Sequence, residues 1–237
     1  MKFGVVVFPG SNCDDDIIYV LESVLDQEVI PLWHKSEELT EFEIDDWIIL
    51  PGGFAHGDYL RAGAIARFSP IMNEVIEFAN RGGNLMGICN GFQILCEAGL
   101  LPGVLLPNIG QNFICKNIFI KSETSNSKLT KKINSTKPLK IPIAHAEGRY
   151  FAKDEDLVIM KDNDMVLFRY CNDIGNVNKA SNPNGSVDNI AGICNIQRNV
   201  FGLMPHPERA AEEALGNKDG ELLFKSIISA TKEEYVI

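Results

Sequence analysis

The sequence predicts an α/β fold, a mostly parallel β-sheet with helices on both faces. Two patterns point there. Short apolar runs alternate with helix-length segments through the first hundred residues, and parallel strands need such crossovers. The composition is also globular, with 45% hydrophobic and 23% charged residues. A chain of 237 residues buries roughly 70% of its unfolded surface, so residues 1–237 are expected to form a single domain without staples.

"FGVVVF" reads as the first strand and Pro9-Gly10 as a turn. A helix is expected from about Asp14, where Asp14, Asp15 and Asp16 suit the positive end of a helix dipole. Such a turn often cradles phosphate, but three carboxylates repel one. Strands follow at "VIPLW" and "WIIL", then helix "IMNEVIEFAN", strand "NLMGI", and helix "GFQILCEAGL" ending at Gly99 ahead of Pro102. The carboxyl ends of the strands form the functional edge of a parallel sheet. The second half is less regular: "FICKNIFI", "LKIPIAH", "DLVIM", "MVLFRYC", "IAGICNI" and "VFGLM" read as strands, and "GELLFKSIISATK" as a closing helix. The Ser-, Thr- and Lys-rich stretch "KSETSNSKLTKKINSTKPLK" reads as a solvated loop or hairpin, or else as a docking surface for another protein.

Charge and cysteine usage narrow the function. Acidic residues outnumber basic ones, 32 to 22, and a net charge of -10 repels phosphate backbones, so no nucleic acid is expected as a partner. The start "MKFGVVVFPGSNCDDD" is not expected to act as a signal peptide, and no apolar stretch approaches the ~20 residues of a membrane helix. A cytoplasmic protein with no membrane contact is expected. The six cysteines contain no Cys-x-x-Cys pair and do not cluster with the four histidines, so reduced thiols and no metal are expected.

Three stretches carry the chemistry. In "GICNG", Cys89 lies between a strand and a helix with Gly87 and Gly91 two residues away on either side, the form of a nucleophile elbow. A tight turn there requires small neighbours, and a helix N-terminus stabilises an anion held at it. The plainer reading is a structural cysteine beside packing glycines. In "MPHPERA", Pro207 biases His206 toward extended backbone, so His206 and Glu208 project to one side. The carboxylate can then fix the imidazole tautomer while the other ring nitrogen serves as base. A surface turn is the alternative, and His145 in "IAHAEGRY" is the rival base. In "ILPGGFAHGD", the Gly53 amide with that of Asn90 would form an oxyanion hole, and Gly52 and Phe54 would line the substrate; otherwise the glycines make only a turn. Gln93, one turn into the helix, is placed to bond a substrate amide. His34 and His56 read as surface or packing residues, and Cys13, Cys96, Cys115, Cys171 and Cys194 as core.

Together "VVVFPGSNCD", "PGGFAHGDYLRAGAIA", "GICNGFQIL", "IAHAEGRY", "NPNGS", "NIAGI" and "MPHPERA" closely resemble the glutaminase subunits of phosphoribosylformylglycinamidine synthase, a branch of the class I glutamine amidotransferases. The resemblance runs to about Ala210. It implies a flavodoxin-like α/β fold and hydrolysis of glutamine to glutamate and ammonia, with Cys89 attacking the side-chain amide, His206 moving the proton and Glu208 orienting His206. Ala55 and His56 stand where the family more typically has Ser and Tyr, and Ala146 where Gly is common; these positions bear on how the glutaminase is switched on.

Ammonia released into water is lost as ammonium unless another active site consumes it, and the chain has no Gly-x-x-x-x-Gly-Lys loop for ATP. A partner is required. The resemblance implies a large synthetase subunit, which uses ATP and magnesium to convert formylglycinamide ribonucleotide to its amidine in purine biosynthesis, and a small third subunit; no cofactor is expected in this chain. The alternatives are the glutaminase of another pathway, such as carbamoyl phosphate, cytidylate or guanylate synthesis, and a cysteine peptidase, chaperone or redox sensor on a similar sheet. Peptidases of that group carry His directly after the elbow cysteine, where this chain has Asn90.

Overall fold

The computed structural model describes residues 1–234. Two compact units divide the chain: Met1–Pro102 with Asn199–Gly202, and Gly103–Arg198 with Leu203 onward. In chain order the strands are β1 (Lys2–Val7), β2 (Glu28–Trp33), β3 (Trp47–Leu50), β4 (Asn84–Ile88), β5 (Val104–Leu106), β6 (Ile114–Ser122), β7 (Leu139–His145), β8 (Arg149–Phe151), β9 (Val166–Cys171), β10 (Ile190–Cys194) and β11 (Val200–Leu203). The helices are α1 (Asp14–Tyr19), α2 (Ile71–Asn80), α3 (Asn90–Glu97), α4 (Asp154–Asp162) and α5 (Glu221–Glu234).

The first unit carries the parallel α/β pattern. Its strands run β2-β1-β3-β4, parallel throughout, with β11 on the far side of β4. Every residue of β3 and β4 is buried, as expected of strands covered on both faces. Trp47 stacks on Phe201 at 5.4 Å within this core. Helix α2 buries Ile71, Met72, Val75, Phe78 and Ala79, and the Asn199 side chain donates to the carbonyls of Ala79 and Gly83, both at 2.8 Å, tying the chain that leaves the helix to the start of β11.

The strand order reverses direction at β1 and β3, the point where doubly wound sheets open a crevice beyond their carboxyl ends. The two loops that leave this point are tied together. Ser11 forms an antiparallel bridge with Gly53, and the His56 amide donates to the Pro9 carbonyl at 2.6 Å. Strand β4 ends beside β3, and its next residue is Cys89.

The second unit is antiparallel, in the order β10-β9-β6-β7, with a separate pair β5-β8. "DLVIM", expected as a strand, is the middle of α4. Its apolar run is short enough for either structure, and Asp154, Glu155 and Asp156 in the first turn favour the helix. The β5-β8 pair had no signal, since three-residue strands are too short to show a period. The Lys-rich stretch is the connection of the β6-β7 hairpin, yet its middle packs on α5. Leu129 and Thr130 are fully buried, the Lys132 amide donates to Ser226 Oγ at 3.2 Å, and that hydroxyl donates to the Lys128 carbonyl at 2.9 Å. No helix among the described residues is long and apolar enough to cross a membrane.

Candidate active site

The first unit holds the nucleophile candidate. Cys89 has φ 50° and ψ -102°, a left-handed backbone that costs a non-glycine residue about 1–3 kcal/mol and that tightly packed neighbours must enforce. The neighbours are glycine for a steric reason. A Cβ on Gly91 would stand 1.9 Å from the Leu50 carbonyl oxygen, and one on Gly87 would stand 2.6 Å from the Gly91 carbonyl. The end of β3 therefore presses against the first turn of α3. Gly91→Ala is expected to destabilise the fold by about 3 kcal/mol or more, because the clash is with backbone that cannot swing away. Urea unfolding tests this, and a loss below about 1 kcal/mol would mean the turn is looser than its geometry.

The asparagine after Cys89 fixes the surrounding loops. Asn90 Oδ1 accepts from the Ala55 amide at 3.1 Å, while Nδ2 donates to Asp58 Oδ1 and to Gln93 Oε1, both at 2.9 Å. The "PGGFAHGD" loop is thus held to the elbow through a side chain, a link the sequence reading did not contain. Gln93 is buried and serves as an acceptor for Asn90. Gly53, the candidate oxyanion-hole residue, has φ 124° and lies in the bridge to Ser11; Gly52 is buried, and its carbonyl accepts from Ser11 Oγ at 3.2 Å. Phe54 is 45% exposed, so a ring stands at the mouth of this loop with nearly half its surface uncovered. Cys89 itself is buried.

The second unit holds the base candidate. The His206 amide donates to the Pro142 carbonyl of β7 at 2.9 Å, and Pro207 begins the short turn Pro207–Ala210. His206 Nδ1 lies 2.5 Å from Glu208 Oε1, with both residues buried. The spacing of two residues thus does what the sequence reading expected. Gly220 lets the following chain close over the turn, since a Cβ there would stand 2.1 Å from the Pro207 carbonyl oxygen.

His145, at the end of β7, is a neighbour of this pair that also reaches an asparagine. Its Nδ1 lies 3.0 Å from Asn108 Oδ1. Asn108 Nδ2 donates to the carbonyls of Asn112 and His145, both at 2.9 Å, and Asn108 Oδ1 accepts from the Gly148 amide at 3.1 Å. Asn184, from "NPNGS", donates to the Gly148 carbonyl at 2.7 Å and supports the same loop. Neither asparagine was singled out from the sequence; the His145 and Gly148 backbone that Asn108 holds, and the Gly148 carbonyl that Asn184 holds, lie more than thirty positions away, beyond any local spacing rule.

Burial, reinforced by the nearby His206, pushes the His145 pKa down to about 4 from an ordinary 6.5. Between those values an unfolded chain binds a proton here that the folded chain does not. Stability should therefore fall as pH drops from about 6.5 to about 4, with a cost on the order of 3 kcal/mol that is complete below the lower value. Urea midpoints at pH 7.5 and 4.5 for the parent and His145→Gln measure this; equal losses in both proteins would contradict it.

Comparison with known proteins adds to this geometry. Residues 1–221 match the family model described as the CobB/CobQ-like glutamine amidotransferase domain. The chain is 53% identical to the Koribacter versatilis protein named phosphoribosylformylglycinamidine synthase subunit PurQ, over 97% of this chain and 98% of that one. It is 48% identical to the protein of the same name from Aquifex aeolicus, over 97% and 100%. A solved chain from the structure of PurLQS from Thermotoga maritima superposes with a TM-score of 0.83 at 43% identity, over 97% and 98%. The mostly parallel α/β fold class stands, and the chain belongs to the glutamine amidotransferases, in the family of PurQ subunits of phosphoribosylformylglycinamidine synthase.

Proposed function

We propose that this chain is the glutaminase of a phosphoribosylformylglycinamidine synthase, and that Cys89, His206 and Glu208 carry the reaction. One observation carries the reading: identity of about half over nearly the full length to proteins of that name. The family match continues through both compact units, which supports treating residues 1–237 as one amidotransferase domain.

His206 takes the Cys89 proton, and the sulfur attacks the δ-carbon of glutamine to form a tetrahedral oxyanion. Donors near Gly53 and the Asn90 amide stabilise that charge; such donors are worth about 3 kcal/mol each in the barrier. As the carbon–nitrogen bond breaks, the proton on His206 passes to the nitrogen, and ammonia leaves behind a thioester. Water, giving its proton to His206, then attacks the thioester; collapse expels the sulfur, and the products are glutamate and the restored thiol. Glu208 holds Nδ1–H so that Nε2 is the atom that exchanges protons. Gln93, Gly52 and Phe54 are assigned to the glutamine side of the pocket.

Ammonia is consumed by a large synthetase subunit in complex with this chain, and a small third subunit joins them, as the solved PurLQS assembly of the relative supports. ATP and magnesium act in the synthetase, and no residue of this chain is assigned to either. The complex works in the cytoplasm. The test is to measure glutamate from glutamine for this chain alone, with its large subunit, and with the complete set plus ATP and formylglycinamide ribonucleotide. Glutamate formation should rise strongly with the synthetase. Stimulation by a carbamoyl phosphate, cytidylate or guanylate synthetase instead would overturn the pathway assignment.

A further inference from the structure

The second unit buries a histidine that the mechanism above does not use. Its proton is assigned by its neighbours. Asn108 spends both Nδ2 hydrogens on carbonyl oxygens, so the atom facing His145 is the amide oxygen, which also accepts from the Gly148 amide. An oxygen cannot donate, so His145 Nδ1 carries the hydrogen. In a neutral ring Nε2 is then left with a lone pair and no proton. Burial keeps the ring neutral. Nε2 has no hydrogen-bond partner among the described residues, although His145 is 3% exposed.

A buried acceptor that no protein donor meets costs roughly 1–3 kcal/mol, and here the surroundings hold the ring in that position. Gly148 lies flat against the ring; a Cβ there would stand 2.3 Å from Cε1 and Nδ1. The ring cannot tilt toward another partner without displacing that backbone. The site also adjoins the base: the strand that ends in His145 accepts the His206 amide at Pro142, and His206 is close enough to act on the His145 charge.

A fixed acceptor that cannot donate, beside the general acid, suits one group in the proposed reaction. When the amide nitrogen leaves, its lone pair must point at the proton on His206, and its N–H bonds then point elsewhere and need acceptors. We propose that His145 Nε2 accepts a hydrogen bond from the departing nitrogen of glutamine, turning its lone pair toward His206. This rests on the glutaminase reading above. The proton still comes from His206, the carbon–nitrogen bond breaks to give ammonia, and His145 exchanges no proton.

The discriminating substrate is the γ-methyl ester of glutamate, whose leaving oxygen carries no hydrogen. In the reconstituted complex, His145→Ala should lower kcat on glutamine at least ten times further than on the ester, with KM for glutamine changed less than kcat. Asn108→Leu, which frees the ring to take the other tautomer, should shift the same ratio in the same direction. Equal losses on the two substrates would mean that His145 only supports the fold, and no loss on either would mean it does not meet the nitrogen; both overturn the proposal. A parent complex that hydrolyses neither substrate would instead sink the glutaminase reading itself.

Discussion

Cys89→Ala is expected to lower glutamine hydrolysis at least about a thousand-fold while the complex still assembles. Removal of a nucleophile leaves only what binding and oxyanion donors supply, and losses of that size or larger are usual. Folding should survive, because alanine adopts the backbone at this turn no less easily than cysteine and leaves a smaller side chain. The necessary control is Cys13→Ala. Cys13 is a second buried cysteine in the first unit, preceding α1, with its thiol 3.4 Å from Asn12 Oδ1. It shares burial and position at a helix start with Cys89 but lacks the strained φ and the flanking glycines, so its replacement should keep at least a third of the activity. Synthesis of the amidine with ammonium chloride as donor should continue in the Cys89 variant, since only the supply of ammonia is cut. If Cys13→Ala abolishes glutamate formation and Cys89→Ala does not, the nucleophile has been misassigned.

What could be read from the sequence depended on how local the cause was. Helix α2 and strand β7 have the expected ends because their apolar periods and flanking breakers act within about ten residues. The elbow was legible for the same reason: a steric demand two residues either side of Cys89 appears as two glycines. The pairing of His206 with Glu208 spans two residues, His206 outside the helical region and Pro207 opening the turn that carries Glu208. Helix α4 was not legible because the four apolar residues of "DLVIM" are too few to separate the two periods. The hold of Asn90 on Ala55 and Asp58, the tautomer set on His145 by Asn108, and the bridge between Ser11 and Gly53 were all invisible. Each joins segments thirty or more positions apart, and such pairings are decided by the sheet order, which no short stretch records.

Glu208→Gln should lower kcat about a thousand- to ten-thousand-fold with little change in KM, although it replaces one atom. The carboxylate is fully covered and touches His206 Nδ1 through Oε1 at 2.5 Å; Oε2 has no hydrogen-bond partner among the described residues. A glutamine has two ways to fit. With its oxygen toward Nδ1 the tautomer is kept, but the imidazolium loses its counter-charge and the amide hydrogens occupy the place where Oε2 had no partner. With its nitrogen toward Nδ1 the ring must carry its proton on Nε2, where it can no longer receive the one from the thiol. Both cut the rate, the second by the larger factor, as in triads where the carboxylate becomes an amide. Stability should move the other way or not at all, because a buried charge is costly to keep and its neutral isostere is not. A melting temperature within a few degrees of the parent, together with the fall in kcat, therefore separates proton handling from unfolding. Activity within ten-fold of the parent would show that His206 holds its tautomer by other means, and Glu208 would then lose its place in the mechanism.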